Sequence, residues 1–334
     1  MKKAIIFFLV TTLWIGGCES SGSKDGEHTQ PSTKYAKTSE QSTNEASAHK
    51  EDGEKYVTTA ENENGQTFRV ISAYEWVDQY VKKVEDIESK SERFKLWKKV
   101  VMDHTQNQCF SGASSQLVED YVYSPPANLG KIKSQNKVLN VSNIENLTIK
   151  ALKASSNKFP GPNTIVCILP QEKANYVGLS IGAGRISIFY SSSYSEVLLK
   201  STIAHEYHHS TWSAKYAENY KWDLLGNIIF EGKAEYFASL LYGQPPTAVY
   251  NYMNADEEKK LWNKAKSVLH STDRKKIHTV LFGGDKGFPS NFGYIVGYHI
   301  VRDYVESHPN TTIEEWSKLS PKELYEASGY EDSF

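Results

Sequence analysis

His205-Glu206-Tyr207-His208-His209 is the stretch on which the reading of this chain turns. On a helix, side chains four residues apart project from one face, so His205 and His209 can share a single cation. The spacing is H-E-x-x-H, in which the Glu beside the first ligand serves as a general base. Zinc accepts neutral imidazole nitrogen, and a catalytic zinc site takes a third protein ligand while keeping one position for water. That ligand is expected downstream on a second helix. Phe230-Glu231-Gly232-Lys233-Ala234-Glu235 supplies it, with Glu231 placed 22 residues after His209. Glu235, one turn further on, can accept the outer N–H of a ligand His and fix its tautomer. Glu235 in place of Glu231 on the metal is the alternative. Gly232 costs a helix interior about 1 kcal/mol relative to Ala, which points to close approach of another helix. His208 lies off the ligand face and reads as a supporting or surface residue.

Outward from this core, Ser193-Tyr194-Ser195-Glu196 has the spacing of a capping box and should start the metal-bearing helix. Thr164 to Leu169 and Arg185 to Tyr190 read as strands, the second an edge strand leading into that helix. Gly182-Ala183-Gly184 would form a flexible rim above it. Apolar residues at helical spacing, beginning with Ala73, Trp76 and Val77, make the pattern helical between Val70 and Lys158, its last stretch running from about Asn143 to Asn157, before a break at Phe159-Pro160-Gly161-Pro162. A helix from about Ile228 to Tyr242 stops at Gly243. Further helices are expected around 257–269, 290–307 and 321–327. His104, His270, His278 and His308 sit among polar neighbours and read as surface residues.

The N-terminal part has a different character. Lys2 and Lys3 precede an apolar run from Ala4 to Ile15, long enough for a secretory leader and too short to span a bilayer. Ile15-Gly16-Gly17-Cys18 resembles a bacterial lipobox, which implies a diacylated Cys18 and stable membrane anchoring. The stretch to Gln66 is polar and reads as a disordered tether spanning roughly 40 Å, with His28 and His49 as solvated bystanders. The expected divisions are a leader at 1–17, a tether at 18–67, a helical part at 68–158 and a catalytic part at 159–334. Cys109 and Cys167 could pair in an oxidising compartment, although Cys167 in its apolar strand reads as a buried free thiol. Hydrophobic residues are 39% and the formal net charge is -2, which excludes a disordered chain and gives little attraction for nucleic acid. Oligomeric state is open.

The two motifs, with Gly293-Tyr294-Ile295-Val296-Gly297-Tyr298, resemble a bacterial family of predicted zinc-dependent proteases of the gluzincin group, often Gram-positive lipoproteins. The likeness runs from about Tyr74 to the C-terminus. It implies an α+β, mostly helical, zincin-like fold with a small antiparallel sheet over the active-site helix. It also implies a Zn2+ cofactor on His205, His209 and Glu231, Glu206 as base, and peptide or protein substrates. Tyr294 or Tyr298 would stabilise the oxyanion, with His299 a weaker third candidate. The acidic Gly-x-Met-Glu-Asn segment of gluzincin aminopeptidases is missing, which favours an endopeptidase on the extracytoplasmic face of the membrane. The alternative is a non-catalytic zinc-binding or solute-binding lipoprotein. Glu206 argues against it, because a storage site gains nothing from a base.

Overall fold

The computed structural model describes residues 56–119, 121, 124–172, 177–247, 253–284 and 287–334. The leader, Cys18, His28 and His49 lie outside these residues.

Five strands form one sheet in the order β1-β2-β3-β5-β4. They are β1 (Val57–Glu61), β2 (Thr67–Ser72), β3 (Thr164–Pro170), β4 (Gly178–Gly182) and β5 (Arg185–Tyr190). The two outer pairs, β1 with β2 and β4 with β5, are antiparallel, while β2 with β3 and β3 with β5 are parallel. The sheet is therefore mixed where an antiparallel one was expected. Parallel neighbours need a long crossover, and the helices between β2 and β3 supply it: α1 (Tyr74–Lys83), α2 (Lys90–Trp97), α3 (Asp103–Cys109), α4 (Leu129–Val138) and α5 (Val141–Lys158). A single π-helical turn, Lys98–Met102, joins α2 to α3.

Both faces of the sheet are buried. Val70, Val166, Ile168, Ile186 and Ile188 share one core with α5 and the helix that carries His205. Ile71, Cys167, Leu169 and Phe189 point the other way, into a second core with Trp76, Tyr80, Trp97 and Val101. Alternation along each strand sets this division, and burial on two sides explains why Thr164 to Leu169 reads as a continuous apolar run.

Two expectations change here. The polar stretch is not unstructured as far as Gln66: Val57 to Glu61 pair with Ile71 to Thr67. The β-branched Val57-Thr58-Thr59 suits a strand, and the turn is closed by Asn62, whose Oδ1 accepts from the amides of Asn64 and Gln66. Strand β2 also joins the helical part to the later strands in a single sheet across the Phe159 break. A second link crosses the same break, since Cys109 at the end of α3 is bridged to Cys167 in β3, with Cα atoms 5.6 Å apart. Cys167 is buried as read, but it is not free.

The remaining helices are α6 (Glu196–Tyr216), α7 (Leu224–Tyr242), α8 (Ala255–Lys266), α9 (Arg274–Phe282), α10 (Phe292–Ser307), α11 (Ile313–Lys318) and α12 (Pro321–Ser328). Ser195, not Ser193, caps α6 and accepts from the Leu198 amide at 3.1 Å. Ser193 pairs instead with Ser191. Asp223 caps α7, which ends at Gly243 in the left-handed region, φ 77°. The close approach implied by Gly232 is to α10: a Cβ on Gly232 would lie 2.2 Å from the backbone of Gly297.

Candidate metal centre

Helices α6 and α7 pack together and bring His205, His209 and Glu231 to one point. The Nε2 atoms of His205 and His209 are 2.9 Å apart. Glu231 Oε2 lies 3.1 Å from His209 Nε2 and 3.3 Å from His205 Nε2. All three side chains are buried. Ligands about 2.0–2.2 Å from a tetrahedral zinc are separated by roughly 3.3–3.5 Å, close to what is seen. The donor set also suits zinc: two imidazole nitrogens and one carboxylate, with no thiolate. Both ring nitrogens and the carboxylate oxygen aim at one buried point, an arrangement that a shared cation would satisfy.

Glu235 takes the supporting role. Its Oε1 lies 3.2 Å from His205 Nδ1, and its Oε2 accepts from the Thr247 amide at 3.0 Å. The His205 ring is thus held from its outer nitrogen while Nε2 faces the centre. Phe230 stacks on His209 with ring centroids 4.0 Å apart, forming an apolar wall.

The charges are strongly coupled. Burial would depress His205, but Glu231 and Glu235 outweigh it and hold the imidazole well above its usual value. Burial and the His205 charge lower His209 despite Glu231. Glu231 is pulled down to about 2, since His209 and His205 overcome its desolvation. Glu206 is pushed up to about 7, chiefly by burial, with the Ser180 backbone amide donating to its carboxylate. A carboxyl group poised near neutrality is suited to proton transfer.

That amide belongs to β4, the true edge strand. Arg185 to Tyr190 lies one position inside it, which corrects the expected edge. Gly178 allows β4 to sit on α6, because a Cβ there would meet Thr202 and Glu206 side-chain atoms at 2.7 and 2.8 Å. The glycine rim is pinned as well: Gly184 donates its amide to Ser210 Oγ at 2.7 Å, and Ser210 donates to the Gly182 carbonyl at 3.1 Å. The sequence Gly178-Leu179-Ser180-Ile181-Gly182 has too little β-branched alternation to read as a strand, so β4 and Ser180 were not legible.

Tyr294 and Tyr298 separate. Tyr294 is fully buried, its ring lies 6.4 Å from His205, and burial with the charges of Glu231, Glu235 and Glu206 raises its pKa well above the ordinary tyrosine value. Tyr298 packs beside Tyr236 at 6.1 Å and His299 at 5.7 Å. His299 Nδ1 is 2.7 Å from Glu258. Among the candidates on α10, Tyr294 is the one brought to the centre.

His208 is neither a surface residue nor a support for the ligands. It is buried between Phe159 and Trp316, with Nε2 3.1 Å from Ser317 Oγ. Lys233, also buried, donates to the carbonyls of Ser317 and Leu319 at 2.9 and 2.7 Å, and desolvation lowers it to about 7. His270, His278 and His308 are exposed as read, whereas His104 is half-buried and stacks on Trp76 at 5.2 Å.

No solved structure matches the chain. The uncharacterized protein YjaZ of Bacillus subtilis (strain 168) is 28% identical over 171 residues, which is 47% of this chain and 65% of that relative. Residues 144–326 match the family described as "Predicted Zn-dependent protease (DUF2268)", a span that contains every residue of the centre described above. The chain belongs to that family.

Proposed function

We propose that this protein is a zinc-dependent peptidase, an endopeptidase of the gluzincin type, tethered through a lipidated Cys18 at the extracytoplasmic face of the membrane. The observation that carries the catalytic part is the convergence of His205 Nε2, His209 Nε2 and Glu231 Oε2 within 4.8 Å of one another, with Glu206 on the next position of the same helix. The pairing of Cys109 with Cys167 supports the export part, since structural disulfides persist in oxidising compartments.

His205, His209 and Glu231 would hold the zinc, which when bound acidifies a water molecule and polarises a carbonyl. Glu206 takes the proton of the attacking water and passes it to the leaving amine nitrogen. The Ser180 amide fixes its carboxylate for that transfer. Glu235 keeps His205 oriented. Tyr294, held neutral by its surroundings, donates its hydroxyl to the oxyanion that develops on the scissile carbonyl.

Burial of the centre favours one competing reading, a non-catalytic zinc-binding lipoprotein. The test is hydrolysis of casein and a fluorogenic peptide library by zinc-loaded wild type and Glu206→Gln. A peptidase loses roughly 10²–10⁴-fold in turnover in the variant while keeping its zinc. Metal retention with no hydrolysis in either form supports the binder.

A further inference from the structure

The centre and the edge strand beside it are both buried. His205, Glu206, His209 and Glu231 are 3%, 4%, 2% and 2% exposed. Every residue of β4 is buried, although a terminal strand of a sheet normally leaves one edge open. What lies along it is the segment after α3. The Ser114 amide donates to the Ile181 carbonyl at 3.0 Å. A Cβ on Gly112 would stand 2.4 Å from the same oxygen, and one on Gly182 would stand 3.3 Å from the Ala113 amide nitrogen. The segment then crosses to α6. Leu117 packs against the cluster of Trp212 and Phe230, and Phe230 is the residue stacked on His209. Trp212 lies on the same stripe of α6 as His205 and His209, about one turn beyond, at helical i, i+3 spacing.

Gly112 to Leu117 therefore bridges the gap between the outward edge of β4 and the metal-bearing stripe of α6, the space an extended peptide would need. Its ends are fixed, by the Cys109–Cys167 bridge on one side and by buried Val118 on the other. Between these ends Gly112, Ala113 and Ser115 are exposed, while Ser114 is buried. We propose that Gly112 to Leu117 is an autoinhibitory strap that occupies the docking edge of β4 and must lift before an extended peptide reaches His205, His209 and Glu231.

The proposal rests on the peptidase reading, so its test reads access to the metal and not turnover. Binding of an extended peptide carrying a terminal hydroxamate, a zinc-directed group, is measured by calorimetry on the zinc-loaded full chain. Gly112→Ala drives a methyl group into the Ile181 carbonyl and unseats the strap at β4. Leu117→Gln loosens the other anchor without a backbone clash, and it decides the matter if the first variant fails to fold. Removing a closed state raises apparent affinity by the inverse of the open fraction, so about tenfold tighter binding is expected, with faster hydrogen exchange at the Ser114 amide and unchanged zinc content. Equal or weaker binding in folded, zinc-replete Leu117→Gln overturns the strap. Tighter binding without hydrolysis in any form keeps the strap and overturns the peptidase.

Discussion

Helices α6 and α7 carry two buried polar stripes that differ in one respect. On one, His205, His209 and Glu231 turn their polar atoms toward a common point. On the other, His208 and Lys233 each find partners on α11 and just beyond it: Ser317 Oγ for His208, and the Ser317 and Leu319 carbonyls for Lys233. Trp212 adds a fourth bond to that anchor, from Nε1 to the Ser317 carbonyl at 3.0 Å. Burial is alike on both sides, and each side carries histidine. What distinguishes them is convergence: three polar atoms of one stripe meet at a single point, whereas His208 Nε2 and Lys233 Nζ each reach separate oxygens of α11 and the residue after it.

His208 and His209, adjacent on α6, should separate the two stripes with the largest effect. His209→Ala leaves two ligands and should abolish stoichiometric zinc binding and hydrolysis, whereas His208→Ala should keep zinc and lose about 2–4 kcal/mol of stability from lost packing and an unpaired Ser317. Zinc analysis with thermal melts reads both. Equal zinc loss in the two variants would erase the distinction. Gly232→Ala comes next. The added methyl meets the Gly297 backbone, so α7 and α10 must separate, at a cost of about 1–3 kcal/mol in denaturant unfolding. Tyr294 moves with α10, so turnover should fall more than zinc content. Lys233→Met tests the clamp alone: the Leu319 carbonyl loses the Lys233 donor and the Ser317 carbonyl keeps Trp212, stability falls by about 1–3 kcal/mol, and zinc affinity is unchanged.

The smallest effect concerns protons. In the metal-free chain burial depresses His205, but Glu231 and Glu235 outweigh it and favour the protonated ring. Zinc requires the neutral ring, so binding releases a proton and affinity climbs as pH rises. Calorimetry in two buffers of different ionisation enthalpy should find at least one proton released per zinc at pH 7. The raised His205 value also supports the metal-free fold fully below the ordinary histidine pKa, and that support is lost as pH rises through the folded value. The metal-free chain should therefore lose stability toward alkaline pH relative to the zinc-loaded one.

Much of the centre was legible because helical spacing is a local property. Four residues separate His205 from His209, and a Gly beside Glu231 marks a helix crossing, so the converging side chains and the need for a close helix contact could be read in one dimension, whereas α10 as the partner could not. Element positions were legible where periodicity or stop residues were strong, as at Gly243 and in Arg185 to Tyr190. Partners set by long-range pairing were not. β1 owes its strand to β2, β4 owes its strand to β5 and α6, and the parallel order of the interior strands is fixed by crossovers that leave no local trace. The fate of His208 likewise depends on Ser317, 109 residues away. Short α9 and α11 passed unread among polar neighbours.

The central claim is that one zinc sits between two imidazoles of α6 and one carboxylate of α7. Metal analysis of purified wild type and Glu231→Ala, both reconstituted with limiting zinc and then desalted, tests it most directly. One zinc per chain in the wild type and essentially none in Glu231→Ala is the predicted result. Zinc retained undiminished in Glu231→Ala, or never held stoichiometrically by the wild type, would contradict it.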